Sequence, residues 1–415
     1  MRFIADFHLH SKFSRATSKD MEVETLAAWG KKKGISLLGT GDFTHPTYFA
    51  ELRSKLVPLG NGLFELKKGE KEVKFLLTAE VCNIYSQDGK VRRIHTLIFA
   101  PGFDAAEAIC SKLSNLGKLS SDGRPIFSFP VRELARMILD LSPESMIIPA
   151  HAWTPWFSIF GANSGFDSIE ECFGELSKHI HAIETGLSSD PEMNWRLSAL
   201  DRLTLLSNSD AHSPNRLGRE ANAFDCPLDY REIVDVIRRK DRKKLLFTIE
   251  FFPEEGKYHY DGHRQCGTIF SPSQTRASQY LCPKCHKRLT VGVMHRVEEL
   301  SDRPEGFIPK NAIPSIHLIP LEEVIAEAIG FRVGAKAVEA EYDRLLERGG
   351  SEFRIMLDMT PEELASFVPG KILEGIIRMR QGKVSIIPGH DGVYGKIGLF
   401  SDKKTEESKE QLKLF

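Results

Sequence analysis

Residues 3–10 read Phe-Ile-Ala-Asp-Phe-His-Leu-His, an apolar run that ends in two histidines separated by one residue. The run over residues 3–7 predicts a buried strand at the start of the chain. Because side chains alternate across a strand, His8 and His10 are expected to project from the same face at its end. Two imidazoles placed in this way are suited to bind a metal ion.

Further short apolar runs predict strands over residues 36–39, 74–78, 96–100, 146–150, 182–185, 203–207 and 245–250. Amphipathic segments predict helices between some of them, over residues 21–33, 131–139, 191–199 and 230–240. This alternation favours a parallel sheet that closes into a barrel, with function at the carboxyl ends of the strands.

Metal-ligating side chains stand at the ends of these strands: Asp42, Glu80, His95, His151, Asp210 and His212, in addition to His8 and His10. A barrel would gather these positions at one mouth. Mixed imidazole and carboxylate ligands suit zinc, manganese or iron, and a bridging carboxylate lets ions lie about 3.5–4 Å apart. An isolated histidine is more often a surface or core residue, but so many at corresponding strand ends predict a metal site.

A second metal-binding pattern follows the barrel segment. His263 and Cys266 form one pair with two intervening residues, and Cys282 and Cys285 form another. Four nitrogen and sulfur ligands in this spacing predict a tetrahedral structural zinc, although His259 or His286 is an alternative to His263. The remaining cysteines, Cys82, Cys110, Cys172 and Cys226, are expected to be small buried residues.

The length of 415 residues predicts more than one domain. Composition divides the chain into a catalytic barrel over 1–250, a zinc-binding domain over 251–300, a mainly helical domain over 301–400 and a polar tail over 401–415. The 56 basic and 57 acidic side chains nearly cancel, so a polyanion must be met by a local patch. With no apolar run long enough to span a membrane and no disulfide framework, a cytoplasmic location is expected.

The metal pattern resembles the polymerase-and-histidinol-phosphatase (PHP) superfamily. That resemblance implies a distorted (β/α)7 barrel with a trinuclear phosphoesterase site in which His8, His10, Glu80, His95, His151, Asp210 and His212 are ligands. Two positions depart from it: Arg15 or a nearby serine stands where an aspartate is usual, and Phe43 follows Asp42 where a histidine is usual. His45 is the alternative imidazole, and Glu184 is expected to orient a ligand rather than bind metal.

Longer stretches resemble the endonuclease Q family. They include residues 38–46, 150–158, 184–190, 207–214, 256–263 and 388–395. The resemblance implies a nucleoid-associated DNA-repair endonuclease that cuts 5′ to hypoxanthine, uracil, xanthine and abasic sites. The products would carry 3′-hydroxyl and 5′-phosphate ends. Catalysis would depend on His8, His10, Glu80, Asp210 and His212, with zinc and with magnesium or manganese as cofactors.

Two other classes of function are weighed against it. A small-molecule PHP phosphatase would leave the last 165 or so residues without a role. A non-catalytic DNA-binding module would not need the retained set of metal ligands.

Damaged DNA would be held by basic and aromatic side chains: Lys12, Arg15, Trp156, Phe157, Arg216, Lys371, Arg378 and Arg380. The loops over 11–19, 153–165 and 213–219 are candidates for the lesion pocket. For the aromatic residues of the second loop, a place in the barrel core is an equal alternative. Residues 367–372 faintly resemble a helix–hairpin–helix, with an ordinary helix pair as the alternative, and the basic run over 231–244 is typical of a solvated helix face.

The end of the chain offers one further partner. Gln411 and Leu414 have the first spacing of a sliding-clamp (PCNA) peptide, but the chain ends at Phe415 before the later aromatic residues. A frayed terminus is the alternative interpretation.

Overall fold

The apolar run that begins the sequence forms β1 (Arg2–Asp6), which lies in the middle of a mixed sheet. The computed structural model describes residues 2–400. The predicted clamp motif at Gln411, Leu414 and Phe415 therefore lies outside the described residues. Within the described part of the chain, no helix is long and apolar enough to cross a membrane.

Eleven further strands build the barrel: β2 (Leu37–Gly39), β3 (Leu56–Pro58), β4 (Phe64–Leu66), β5 (Lys74–Gln87), β6 (Lys90–Ala100), β7 (Ile126–Phe127), β8 (Met146–Pro149), β9 (Ala182–Glu184), β10 (Thr204–Leu206), β11 (Ala221–Asp225) and β12 (Leu245–Glu250). The helices beside them are α1 (Val23–Lys33), α2 (Pro46–Lys55), α3 (Phe103–Ser114), α4 (Val131–Leu141), α5 (Ile169–Phe173), α6 (Pro191–Trp195) and α7 (Tyr230–Arg239). The predicted fold class and helix positions are confirmed.

The sheet is mixed rather than wholly parallel. β1, β2 and β5 are parallel neighbours, whereas β11 and β12 run antiparallel on the other side of β1. β5 and β6 form one long antiparallel hairpin that also pairs with β8. Its turn places Asp88 and Gly89 at φ of 51° and 73°, the left-handed conformations of a tight hairpin turn. The Asp-Gly pair is a hairpin signal in the sequence, but the two runs were predicted as separate short strands.

The zinc-binding segment is small and is hydrogen-bonded to other parts of the protein on two sides. It comprises β13 (Asp261–His263), β14 (Thr268–Phe270), α8 (Pro272–Ala277) and α9 (Val293–Leu300). Arg296 on α9 donates to the backbone oxygens of Phe160 and Phe166 in the barrel. On its other side, Asp391 accepts from the backbone N–H of Arg264 and the hydroxyl of Thr290.

The C-terminal part does more than form helices. β15 (Ser315–His317) adds to the barrel sheet in parallel with β12. It is followed by α10 (Leu321–Ile329), α11 (Lys336–Gly349), a π-helical turn (Arg354–Asp358), α12 (Pro361–Ala365), α13 (Gly370–Arg380) and the hairpin of β16 (Ser385–Ile387) and β17 (Lys396–Gly398). A buried ion pair between Lys33 and Glu352, with N and O 2.7 Å apart, fixes the helices to α1. Taking two charges out of water is tolerable here because Glu352 also accepts from Tyr342.

Candidate metal centre and adjoining cavity

The first ligand group stands at the end of β1. Asp210 Oδ1 lies 3.1 Å from His10 Nε2 and 3.7 Å from His8 Nε2. All three atoms are buried and make no hydrogen bond among the described residues. A buried polar atom without a partner carries a large desolvation cost, which a cation between the three would remove. His8, His10 and Asp210 therefore fit a divalent metal ion.

The second group shares Glu80 with the first. Glu80 Oε1 lies 2.8 Å from His95 Nδ1 and 3.1 Å from His151 Nε2, while Oε2 lies 3.3 Å from His10 Nε2. The hairpin explains the proximity, because Glu80 on β5 is diagonal to His95 on β6 and lies on the same face. One carboxylate facing two ligand groups is the arrangement of a bridged multinuclear site.

Two carboxylates orient the rings of His8 and His10 from the side that faces away from the ligand group. Glu184 accepts from His8 Nδ1 at 2.9 Å, and Asp42 accepts from His10 Nδ1 at 3.1 Å. In each ring Nε2 is then the nitrogen that faces the ligand group, where a bound metal ion would take the place of its proton. The expectation that Glu184 orients a ligand agrees with this geometry.

Asp42 was predicted as a ligand, but the structure gives it the same orienting position as Glu184. Its second oxygen is occupied by the N–H and hydroxyl of Ser11 and the hydroxyl of Ser14, at 2.6–2.8 Å. A carboxylate with these bonds has little capacity left for a cation.

His212 stands beside His10, with ring centroids 4.5 Å apart. Its Nδ1 donates to the backbone oxygen of Asp210, which leaves Nε2 free to act as a ligand. His45, the alternative imidazole, is instead the N-cap of α2, where Nδ1 accepts from the N–H of Tyr48. It does not belong to either ligand group.

The electrostatics of the site favour a cation. Burial alone would raise the pKa of Asp210, but the adjacent His8 and His10 hold it below its usual range. Burial lowers the pKa of His95 to about 4, so this ring is neutral and able to ligate. The pKa of His8 is shifted in the opposite direction from that of His95. Its carboxylate neighbours raise the pKa despite burial, which shows that the site is strongly negative.

Three of the residues predicted as metal ligands have strained backbones. Asp42, His151 and Asp210 have φ of 45°, 29° and 46°, in the left-handed region that non-glycine residues rarely adopt. Such strain costs on the order of 1–3 kcal/mol per residue and persists where the surrounding structure imposes it. It is concentrated here at the turns that follow the strands.

Arg124 also enters the site, and the sequence analysis missed it. Its Nη1 donates to Glu80 Oε2 at 2.9 Å. The residue lies in the loop before β7 and does not follow a predicted strand. Its positive charge was therefore the only feature of the sequence that could have indicated a role in the site.

A cleft of about 810 Å³ opens beside the ligands. Two of its lining residues touch the metal centre: Thr154 contacts His151 Nδ1 through its hydroxyl, and Arg219 donates to the backbone oxygens of Ser209 and Asp210. The rest of the wall comes from the second and third predicted loops, the zinc-binding segment and the C-terminal hairpin, including Trp156, Arg216, Glu255, Lys257, Tyr258 and Tyr394. We call this space the lesion cavity, after the predicted lesion pocket, because two of the three loops predicted to form that pocket line it.

The aromatic residues of the loop over 153–165 divide between core and surface. Trp153 is buried and donates to the side chain of Asn194, and Phe160 packs against it. Trp156 is 48% exposed on the cavity wall, and Phe157 lies 4.8 Å from the ring of His95.

The predicted DNA-binding cations differ in availability. Arg15 is exposed and lies 3.3 Å from Asp122, Lys371 lies over the ring of Phe400, and Arg378 is 3.7 Å from Glu374. Lys12 is paired with Glu22 and Glu51, and Arg216 is paired with Glu323 across the cavity wall.

Arg380 is half-buried, and its guanidinium is occupied by contacts within the protein. Its three guanidinium nitrogens donate to the backbone oxygens of Ile355, Met356 and Met359 at 2.7–2.9 Å. These bonds cap the π-helical turn, so Arg380 stabilises the helical domain instead of facing DNA. The basic run over 231–244 is partly paired with acidic side chains, as in the pairs Arg239–Asp235 and Lys244–Glu232.

The four predicted zinc ligands come together. One ligand atom from each of His263, Cys266, Cys282 and Cys285 lies within 4.8 Å of the others. A hydrogen bond from the Thr268 hydroxyl is the main reason that the pKa of Cys282 falls to about 6. A thiolate at neutral pH is the form that binds zinc. His259 lines the lesion cavity instead, so the geometry favours His263.

A buried carboxyl beneath the cavity predicts a pH-dependent stability. Burial raises the pKa of Glu250 to about 7 from 4.5, with Asp190, His317, Thr185 and Glu220 as its neighbours. Its stabilising contribution is complete below pH 4.5 and is lost as the pH rises through 7. Between pH 5 and 8 the metal-free wild type should lose about 2 kcal/mol more unfolding free energy than Glu250→Gln. Denaturant titrations test this; parallel curves for the two proteins would contradict it, and Glu362→Gln on α12 is the exposed control.

Comparison with known proteins gives four findings. The family model of the MJ0043 C-terminal domain matches residues 320–383. Protein MJ0043 of Methanocaldococcus jannaschii is 35% identical over 274 residues, and the chain spans only 33% of that longer protein. The crystal structure of the lesion-specific endonuclease PfuEndoQ from Pyrococcus furiosus superposes with a TM-score of 0.86 at 33% identity, covering 96% of both chains.

A second solved structure is similar along its full length. It is an endonuclease Q complex with a 27-mer duplex carrying an abasic lesion at the active site. It matches with a TM-score of 0.84 at 34% identity and covers 98% of this chain and 99% of that one.

The fold and its two ligand groups define a metal-dependent hydrolase. Since the likeness to both solved structures extends over nearly the entire chain and includes the order of the domains, the family is settled as well. The chain belongs to the endonuclease Q family of DNA-repair endonucleases.

Proposed function

We propose that this protein cuts DNA on the 5′ side of deaminated bases and abasic sites. The observation that carries the proposal is the contact between the metal centre and the lesion cavity, through Thr154 with His151 and Arg219 with Asp210. A nucleotide turned out of the duplex into this cavity would bring its 5′ phosphate toward the ligands.

The reaction is hydrolysis of a phosphodiester. Water adds across the bond between phosphorus and O3′ of the preceding nucleotide, so the water oxygen joins the 5′-phosphate and O3′ leaves with a proton. Divalent ions, when bound, act as Lewis acids that activate water and neutralise charge on the phosphoryl oxygens. The protein residues hold the geometry: Glu184 and Asp42 fix the rings of His8 and His10, and Glu80 joins the two groups.

The metals are proposed from ligand chemistry. Imidazole and carboxylate ligands suit zinc or manganese at the active site, with magnesium as an alternative, whereas the cysteine-rich group suits structural zinc. The ligand set of the active site is His8, His10, Glu80, His95, His151, Asp210 and His212.

The cavity can distinguish a deaminated base from its parent. Hypoxanthine and uracil carry a carbonyl where adenine and cytosine carry an amino group. Arg216 and Arg219 line the cavity and offer N–H donors, which pair with a carbonyl but not with an amino group. Leaving a buried donor opposite another donor is strongly unfavourable, so a normal base is rejected. An abasic site needs little unstacking and enters most easily.

One assay tests the function against its rivals. The metal-loaded protein is incubated with labelled duplexes containing hypoxanthine, uracil, an abasic site or no lesion, and separately with p-nitrophenyl phosphate. Nicking of damaged duplexes alone supports the proposal. Phosphate release without nicking would indicate a phosphatase, and binding without cleavage would indicate a DNA-binding module.

Trp156 is expected to stack on a nucleobase at the cavity wall. Base stacking on an aromatic side chain contributes about 1–3 kcal/mol, so Trp156→Ala should weaken binding of an abasic-site duplex about tenfold. Fluorescence anisotropy in EDTA measures binding without cleavage. Trp29→Ala is the matched control, because Trp29 lies on α1 under Lys32 and does not line the cavity. Equal affinities for the two variants would remove Trp156 from the DNA-binding surface.

A further inference from the structure

We propose that Arg124 binds the scissile phosphate and stabilises the charge that develops on its non-bridging oxygens. This role rests on the proposed endonuclease function and adds a catalytic residue that is not a metal ligand. Its basis is the position of one partly exposed guanidinium at the mouth of the ligand groups.

The guanidinium of Arg124 is only partly occupied. Nη1 donates to Glu80 Oε2, and the side chain is 27% exposed. No other hydrogen bond of this guanidinium is found among residues 2–400. An arginine presents five N–H donors in a planar fork that matches phosphate geometry. The donors not used by Glu80 are therefore available at the site where a phosphodiester must arrive.

The charge of Arg124 acts on the whole centre. Glu80 Oε2, its partner, is also the oxygen that faces the Nε2 atoms of His8 and His10. The same charge acts on Asp210 and His212. A purely peripheral arginine would not reach both ligand groups. Its position places a fixed positive charge beside the atoms that gain negative charge during hydrolysis.

The loop that carries Arg124 is held rigidly. Gly123 donates its N–H to the backbone oxygen of Phe13, and its own oxygen accepts from the Thr44 hydroxyl. A Cβ at Gly123 would lie 2.2 Å from Asp42 Oδ2 and 2.2 Å from Ser14 Oγ. The loop therefore packs against the carboxylate that orients His10. Pre-organisation of this kind allows a donor to act without reorganisation during the reaction.

A structural role is the competing explanation. Arg124 would then only neutralise buried Glu80, and its removal would disturb metal retention rather than the chemical step. The two roles give different results for metal content, substrate binding and chemical rescue.

The experiment compares Arg124→Ala, Arg124→Gln and Arg124→Lys with the full-length wild type. Single-turnover nicking of an abasic-site duplex, at saturating protein and Mn²⁺, should fall about 10²–10³-fold for alanine and glutamine. Lysine should retain more activity, because it keeps the charge but loses the fork. Bound metal per protein, measured by mass spectrometry, should be unchanged, and added guanidinium chloride at millimolar concentration should restore part of the alanine variant's rate.

DNA binding provides a second measurement, which does not require bound metal ions. In EDTA, the slope of log Kd against log salt should decrease by about 0.9 for Arg124→Ala, as expected for one lost phosphate contact. Arg136→Ala is the control, because Arg136 is paired on the surface with Glu133 and Glu175.

Two results would overturn the role of Arg124. One is nicking by Arg124→Ala within threefold of the wild type. The other is loss of bound metal together with activity, with no rescue by guanidinium. Failure of the wild type to nick any damaged duplex would instead reject the proposed function.

Discussion

Asp210→Ala is expected to abolish nicking of an abasic-site duplex while leaving the protein folded and able to bind DNA. Asp210 Oδ1 is buried between His8 Nε2 and His10 Nε2 and has no hydrogen bond in the described structure. Removal of its carboxylate therefore breaks no hydrogen bond of the described fold, and the lost attraction to His8 and His10 is partly offset by relief of the repulsion between Asp210 and Glu80. Losing it removes a charged ligand and displaces the reacting groups, and an error of about 1 Å can cost 10²-fold in rate.

The measurement combines single-turnover nicking, metal content and thermal unfolding. We expect a rate decrease of at least about 10²-fold, less bound metal, and a metal-free Tm within a few degrees of the wild type. Asp235→Ala on α7 is the matched control, because the side chain of Asp235 is 48% exposed and is paired with Arg239 on the surface of the helix. Near-normal nicking by Asp210→Ala would refute the metal centre described here.

The structure brings the predicted ligands of the metal centre close together because these residues follow strands. His8 and His10 leave β1 on one face, and Asp210 and His212 follow β10 with the same spacing. Barrel geometry then brings strand ends together without further information. For residues that directly follow a strand, the local periodicity and the direction of the chain are enough to predict that they lie close together.

Residues that depend on tertiary contacts were harder to predict. Glu80 and His95 were found as separate strand-end residues, but only the β5–β6 hairpin shows why they share a site. Asp42 has the composition of a ligand, and its saturation by Ser11 and Ser14 becomes visible only in three dimensions. Charge alone did not separate exposed Arg15 from half-buried Arg380, whose guanidinium donates to backbone oxygens.

The composition of the lesion cavity wall was also not predicted from the sequence, because the wall combines residues from different domains. Its wall joins the barrel loop at Trp156 with Tyr258 from the zinc-binding segment and Tyr394 from the C-terminal hairpin. These residues are more than 100 positions apart in the chain. The zinc-binding segment is consequently part of the cavity wall, and under the proposed function the stability of that segment should control DNA binding.

Cys282→Ser should therefore affect both stability and DNA affinity. Cys282 is buried, accepts from the Thr268 hydroxyl and is one of the four atoms gathered within 4.8 Å. A small segment held by zinc folds through its metal, and a hydroxyl does not replace a thiolate ligand. We expect loss of one zinc per protein, a lower Tm, and weaker binding of an abasic-site duplex in anisotropy.

The zinc content per protein is measured for Cys282→Ser and for a control variant. Because active-site zinc would obscure the count, the comparison is made in an Asp210→Ala background. Cys110→Ser is the matched control, since Cys110 lies on α3 and contacts the backbone oxygen of Phe43. An unchanged zinc content in Cys282→Ser would show that the four-ligand assignment is wrong. Zinc loss with unchanged DNA affinity would show that the cavity wall keeps its shape without zinc, because Asp391 and Arg296 hold the segment from either side.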